Sequence, residues 1–449
     1  MERTARAPML AILAVGSILL AACGHSDPAP TAGDATTTTA KAEAATGDFG
    51  TMKGVCGPGD PKSSGKAVRG VSDSTIQIGV LNDATSTLSP GLGAGYLDVA
   101  KAFTDWCNEA GGINGRKIEF VGRDAQISQA AARIIDACQS DFMLVGGATP
   151  FDANTVQPRE KCGLGAIPAY AASPEAIDSK LQALPTRVAN KQANLGMMRL
   201  LEPQFADAFQ KIGMMAVDTP SLLKPSESTK AAMLNAGYKI TSYQKLPLTT
   251  DNWRTVVQPL VGTAEAVAPA PSDPTALFQA INDVGYKPTL LFNAMGNAYN
   301  QQLITSMKAA PIDAPFYLGT TIYPLELEDQ NPATKLAHDL TDTVGSKLPW
   351  DAGAIPPWAS WLLFAQSATA CGNDLTVQCV IDKATAQKDY TAAGLLSPVD
   401  LSDPDAIPPC IAVLSATAKG FAYDEKITQP TDGDGGVFNC DPENVVDAD

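Results

Sequence analysis

The feature that most constrains this chain is a repeated switch between two hydrophobic periods. Thr75-Ile76-Gln77-Ile78-Gly79-Val80-Leu81 alternates as a half-buried strand does. A loop rich in Gly, Ser, Thr and Pro covers residues 83–95. Residues 96–108 then place Leu97, Ala100, Phe103, Trp106 and Cys107 on one helical face. Gly111-Gly112 closes that helix, because glycine takes the left-handed conformation a helix C-terminus needs. Asn114-Gly115 makes a tight turn, and residues 117–121 alternate again. Helices are predicted over 128–138 and up to 162, strands over 142–145 and 166–171. The rhythm restarts with helices over 196–210 and 226–235 and strands over 212–217, 239–243, 289–292 and 315–318. Residues 235–240 and 282–287 both read as helix end, glycine cap and strand start, echoing 108–118. The predicted fold is α/β: two doubly wound parallel-sheet lobes joined by a hinge, with a cleft at the carboxyl ends of the strands. A length of 449 residues accommodates two or three such domains.

The N-terminus reads as an address. Arg3 and Arg6 precede an uncharged apolar run at 9–20, shorter than the roughly 20 residues a membrane span takes. Leu20-Ala21-Ala22-Cys23 resembles a bacterial lipobox, in which the cysteine is acylated and becomes the mature N-terminus. An ordinary secretory signal with an incidental cysteine is the alternative. Residues 1–23 are therefore expected to be a lipoprotein signal and 24–73 a flexible tether, since Pro28-Ala29-Pro30, the threonines at 36–39 and Ala-rich stretches bury little surface. The expected location is the extracytoplasmic face of the cell membrane, lipid-anchored through Cys23. Residues 429–449 read as a loose acidic tail, apart from Cys440.

Eight cysteines follow Cys23, an even number that favours disulfides in an exported chain. No CxxC occurs, and no Cys/His spacing suits zinc. The net charge of −16 argues against nucleic acid and anionic membrane surfaces as partners. Only His25 and His338 exist, and neither GxSxG nor HExxH occurs, so no enzyme, cofactor or metal is expected. Gly91-Leu92-Gly93-Ala94-Gly95 has GxGxG spacing rather than the dinucleotide GxGxxG. Glu326, Glu328 and Asp329 read as a solvated turn rather than an acid/base pair. Asp432, Asp434 and Glu443 fail as a calcium loop, because Gly436 and Val437 break its middle.

The passage Asn108-Glu109-Ala110-Gly111-Gly112-Ile113-Asn114-Gly115-Arg116-Lys117-Ile118-Glu119-Phe120 resembles a hallmark of type I periplasmic binding proteins of the leucine/isoleucine/valine-binding kind. Residues 76–81, 131–138, Leu144-Val145-Gly146-Gly147, 167–174, 370–376 and 393–395 are similar to further elements, in the family's order; the last two resemble actinobacterial members. The resemblance covers about 74–422. It implies a ligand held between lobes and delivery to an ABC transporter permease. It also implies one lobe from 74–187 plus 345–409 and another from 188–344 plus 410–428, with crossings near Arg187, Val344 and Cys410. On that pattern, Cys138 pairs with Cys162 at helix C-termini on the first lobe's outer edge. Cys56 and Cys107 approach the same edge and pair, and Cys371–Cys379 and Cys410–Cys440 complete the set.

By the same resemblance the binding residues lie in loops after strands: Ser89, Thr149, Phe151, Tyr170, Ser173, Asp218, Asn293, Met295, Thr320 and Tyr323. Hydroxyls and backbone amides there can hold a carboxylate or carbonyl. Family members that bind amino acids place an acidic side chain near the loop that is 320–323 here, to pair the ligand's ammonium. This loop has no carboxylate before Glu326, which puts an amino acid in doubt; Asp83 or Asp218 could substitute. Phe151, Tyr170, Met295 and Tyr323 suit a partly apolar solute, and an amide is a third possibility. The expected function is a solute-binding lipoprotein for an ABC importer. The alternative is an extracellular sensor reporting to a signalling partner.

Overall fold

The computed structural model describes residues 46–62, 67–87, 91–188, 190–247, 249–269, 274–294, 296–433 and 435–448. The leader and lipobox lie outside them. The first lobe holds a parallel sheet of β1 (Thr75–Asn82), β2 (Lys117–Asp124), β3 (Met143–Val145) and β4 (Gly165–Ile167), in the order β2-β1-β3-β4. The alternation in β1 buries Ile76, Ile78 and Val80 completely. Helix Ile355–Cys371 comes from far along the chain and packs on helix Ala94–Glu109 and on β3 and β4. It is apolar all round, and it is buried nearly all round, as such a helix must be. Trp106, Trp358, Trp361, Phe103 and Phe364 fill this core.

The chain leaves the first lobe through β5 (Gln192–Asn194) and builds a larger sheet. Its strands are β6 (Ile212–Val217), β7 (Ile240–Leu246), β8 (Ala266–Ala268), β9 (Leu290–Asn293), β10 (Phe316–Thr320), β11 (Ala412–Thr417) and β12 (Gly420–Tyr423). The order is β12-β11-β10-β9-β8-β6-β7, parallel from β7 to β10 and antiparallel at β11 and β12. Apolar clusters lie on both faces of this sheet. The fold is thus α/β with two wound, mainly parallel sheets.

Three expectations about boundaries are corrected. First, the segment read as tether is not tether throughout. Phe49 is fully buried between Trp106 and Trp358, ring centroids 5.4 and 5.3 Å away, and Val55 and Cys56 are buried too. One aromatic side chain suffices to dock a polar strap. Second, helix Pro332–Thr343 sends Ala333, Leu336, Ala337 and Leu340 into the first lobe's core, so the chain crosses between lobes before it, not at Val344. Glu326 accepts a 2.6 Å hydrogen bond from Tyr299 of the second lobe, while Glu328 meets His338 of the first at 2.9 Å. The turn faces solvent as read, with no residue of 325–330 buried, and Glu326 and Glu328 also tie it to both lobes. Third, the C-terminal stretch is not loose. β13 (Val445–Asp447) pairs antiparallel with β5, and Val437, Phe438 and Asn444 are buried.

The eight described cysteines form Cys56–Cys107, Cys138–Cys162, Cys371–Cys379 and Cys410–Cys440. These are the pairs read from the sequence. No helix among the described residues is long and apolar enough to cross a membrane.

Candidate functional site

The second lobe contains a cavity of about 250 Å³ at the carboxyl ends of β6, β8 and β9. Met214, Met215, Met233, Phe278, Phe292 and Leu303 give it an apolar wall, and none of its described lining residues is charged. Polar groups gather along one side. Asn293, the last residue of β9, donates to Asn297 Oδ1 at 2.8 Å and accepts from Ala298 N at 3.3 Å, which fixes the loop at the mouth. Asn300 and Gln302 also line this cavity, and both line a second space of about 470 Å³ between the lobes. The first lobe lines that space with Gly91–Gly93, Tyr96 and Asp98 and with Thr341, Asp342, Ser346 and Trp350. The two spaces therefore meet at the start of helix Gln301–Ala309.

Behind Tyr96 lies a buried polar cluster. Asp83 follows β1 and is 1 % exposed. Its Oδ1 accepts from Ile127 N at 2.5 Å, and Ile127 takes a left-handed φ of 66° to reach it. Its carboxyl also faces the hydroxyl of the equally buried Thr149. Burial pushes the Asp83 carboxyl up, bonds from Ile127 and Thr149 pull it down, and Asp124 adds a further upward push. Tyr96 is driven up to about 12 by burial, against a hydrogen bond with Tyr170. Tyr170 lies well above the usual tyrosine range, first through burial and then through Tyr96, Asp152 and Asp83.

The predicted site residues separate on this geometry. Asn293 lines the apolar cavity. Thr149 and Tyr170 join the buried cluster on the first lobe. Ser173 is 1 % exposed, and its hydroxyl caps helix Pro174–Ile177 by accepting from Ala176 N, so its side chain is committed to structure. The backbone amides of Ala172 and Ser173, expected to hold a ligand oxygen, instead donate to the Asp152 carboxylate at 2.6 and 3.2 Å. Thr320 lines a smaller space of about 150 Å³ with Gly296, Gly319 and Pro408. Tyr323 packs against Cys410, Val437 and Phe438, away from the cavities described above. Asp218 is exposed beyond β6, and Phe151 is half-buried; neither lines those cavities. Ser89 and Met295 lie outside the described residues. Sequence reasoning missed Met214, Met215, Phe278 and Phe292, which read as ordinary core. It also missed Asp152. Among the described residues no group of three His, Cys, Asp or Glu side chains is placed to hold a metal.

Two wound sheets with cavities at the strands' carboxyl ends are the architecture of a two-lobed binding protein. The chain belongs to the periplasmic binding protein family, whose model matches residues 75–413, a family of solute-binding proteins rather than enzymes. It is similar to the fatty acid ABC transporter substrate-binding protein from Thermomonospora curvata at 19% identity, over 85% of this chain and 100% of that one, with a TM-score of 0.66. It is also similar to the branched-chain amino acid transporter substrate-binding protein LivJ from Streptococcus pneumoniae in complex with isoleucine, at 15% identity, over 78% and 100%, TM-score 0.60. A solute-binding protein from R. palustris in complex with 4-hydroxybenzoate matches at 13% identity, over 82% and 95%, TM-score 0.61. At these identities the likeness is one of fold. No curated protein sequence matches.

Proposed function

We propose that this chain is an extracytoplasmic solute-binding lipoprotein that captures a partly apolar small molecule and delivers it to an ABC importer. The observation that carries the reading is the uncharged cavity of about 250 Å³ at the carboxyl ends of β6, β8 and β9, open on one side to amides from Asn293, Asn297 and Asn300. Burial of an apolar group contributes roughly 25 cal/mol per Å², so such a wall selects ligands with a hydrocarbon or aromatic part. The relatives named above, a fatty acid transporter component and a protein holding 4-hydroxybenzoate, are consistent with this chemistry. Closure of the lobes would bring Asn300 and Gln302 toward Gly91–Gly93 and enclose the ligand.

The test uses protein purified gently and then denatured, with the released small molecule identified by mass spectrometry. Ala294 lines the cavity from a half-exposed loop position. Ala294→Trp should fill the mouth, weaken binding of the released molecule at least roughly tenfold, and leave the ligand-free melting temperature nearly unchanged. Undiminished binding in this variant would remove the cavity from the site.

Membrane attachment through Cys23 belongs to the same proposal. Cys23→Ala should move the protein from washed membranes to the soluble fraction, since an acyl chain contributes about 0.8 kcal/mol per buried CH₂. A variant that still pellets with membranes would exclude the lipobox reading.

A further inference from the structure

Three stretches carry the chain between the two cores. Ala183 lies in the first lobe's core and Ala193 in the second's; Leu318 lies in the second and Ala333 in the first; Leu401 lies in the first and Val413 in the second. The space of about 150 Å³ opens among these stretches, with Arg187 and Asn194 from one, Thr320 and Thr321 from another, Ile407 and Ile411 from the third. Thr229 and Ala294 line both this space and the apolar cavity of about 250 Å³, so the two adjoin. Arg187 is the one charged residue among the described lining. Its guanidinium donates to two backbone carbonyls, Pro404 O at 2.5 Å and Leu401 O at 3.4 Å, and its Nε–H is buried without a partner. Asp403, Asp400 and Asp405 act on it through their fields, but none of them lines the space, and Asp405 is paired with Lys191 at 2.7 Å. Asn194 is committed on both sides, donating to Pro408 O at 2.8 Å and accepting from Gly196 N at 2.9 Å. Thr320 Oγ1 accepts from Ile322 N at 3.0 Å, which leaves its O–H to donate. A buried donor without an acceptor is costly, and a guanidinium is matched best by a carboxylate.

We propose that this space holds the acidic group of the cargo: a carboxylate meets the Arg187 guanidinium and the Thr320 hydroxyl while the apolar body lies in the adjoining cavity. The inference rests on the proposed apolar cavity and adds the ligand's charge to it. The ligand class is then a monocarboxylic acid with a hydrocarbon or aromatic body. The position also gives the ligand a hold on lobe orientation. All three connecting stretches contribute walls, so rotation of the lobes reshapes the space, and a carboxylate held there binds some orientations better than others. That differential affinity is what a ligand needs in order to shift a conformational equilibrium.

Two probes of one chain length separate charge from hydrocarbon: octanoate and octanamide, titrated calorimetrically at neutral pH into the whole protein. Octanoate should bind wild type tighter than octanamide by roughly tenfold or more. Arg187→Gln keeps a donor for Pro404 O but removes the charge; it should weaken octanoate at least about tenfold and octanamide little, and Arg187→Lys should restore part of the preference. Thr321→Asp brings a negative charge into the space and leaves the Arg187 bonds in place. It should likewise abolish the preference for octanoate, and it decides the matter even if Arg187→Gln does not fold. Octanoate binding wild type no tighter than octanamide would overturn the inference while leaving the cavity reading intact. So would a preference that survives Thr321→Asp. Binding of neither probe would overturn the cavity reading and the inference with it.

Discussion

Replacing Phe49 by alanine is expected to destabilise the protein by about 3–5 kcal/mol, as large-to-small changes at fully buried aromatic positions do. The ring has no solvent exposure, packs edge-on to Trp106 and tilts against Trp358, and those two tryptophans sit in the middle of the first lobe's core. Collapse cannot heal the hole. The Cys56–Cys107 bridge pins the strap to helix Ala94–Glu109, and Gly57 N donates to Gly112 O at 2.7 Å. Further on, Thr369 Oγ1 donates to Val55 O and Thr51 Oγ1 to Ala393 O, holding the strap over helix Ile355–Cys371 and the segment that follows it. The cavity left by Phe49→Ala would therefore persist, and its size adds to the lost transfer free energy. Chemical denaturation of wild type and variant, followed by tryptophan fluorescence, reads the loss directly. A shift below about 1 kcal/mol would mean that the strap is not part of the folding unit.

The strap also marks where sequence reading stops. The strands of the first lobe were legible because β1 and β2 alternate with a period of two, and the helix between them carries its apolar residues on one face. Phe49 was not, since a lone aromatic among Ala, Thr and Gly has no period, and its value comes from two tryptophans, one of them more than 300 residues away. Helix Pro332–Thr343 shows a related limit. Its apolar stripe announces a buried face, but periodicity does not say which of two sheets covers it. The cavity was hidden for a different reason. Met214, Met215, Phe278 and Phe292 are the residue types that fill cores, and only the end of a strand distinguishes a lining residue from a packed one. In the loops after strands the side chains have other duties: Ser173 caps a helix, Tyr323 anchors the tail, and Asp152 answers amides that a ligand was expected to use. Hydroxyls and carboxylates near strand ends satisfy the backbone first, and ligand only with what remains.

Removing the Cys410–Cys440 bridge by alanine at both positions should cost about 3.6 kcal/mol, the value the chain-entropy account assigns to a loop of this size. The sequence separation is 30 residues. The cost should fall on one place. β13 meets β5 over three residues, and a pairing that short is marginal unless something else holds the strands together. Asn444 adds support: its amide donates to Pro409 O and Asn439 O, its Oδ1 accepts from Arg199, and Leu195 N donates to its backbone carbonyl. All but the bond to Asn439, which is internal to the tail, tie the tail to the segments at either side of the crossing, so they form together once the bridge has brought residues 437–448 close. Without the bridge they must bear the loop-closure entropy themselves. Amides at 192–195 and 444–447 should then exchange with solvent much faster, while those of β1 and β9 should not change. Such a pattern identifies the tail as a clasp on the first crossing strand, and a freed clasp should also widen the range of lobe orientations seen by solution scattering of the ligand-free protein. If exchange instead accelerates evenly through both sheets, the bridge stabilises the whole molecule and the tail has no special hold on the hinge.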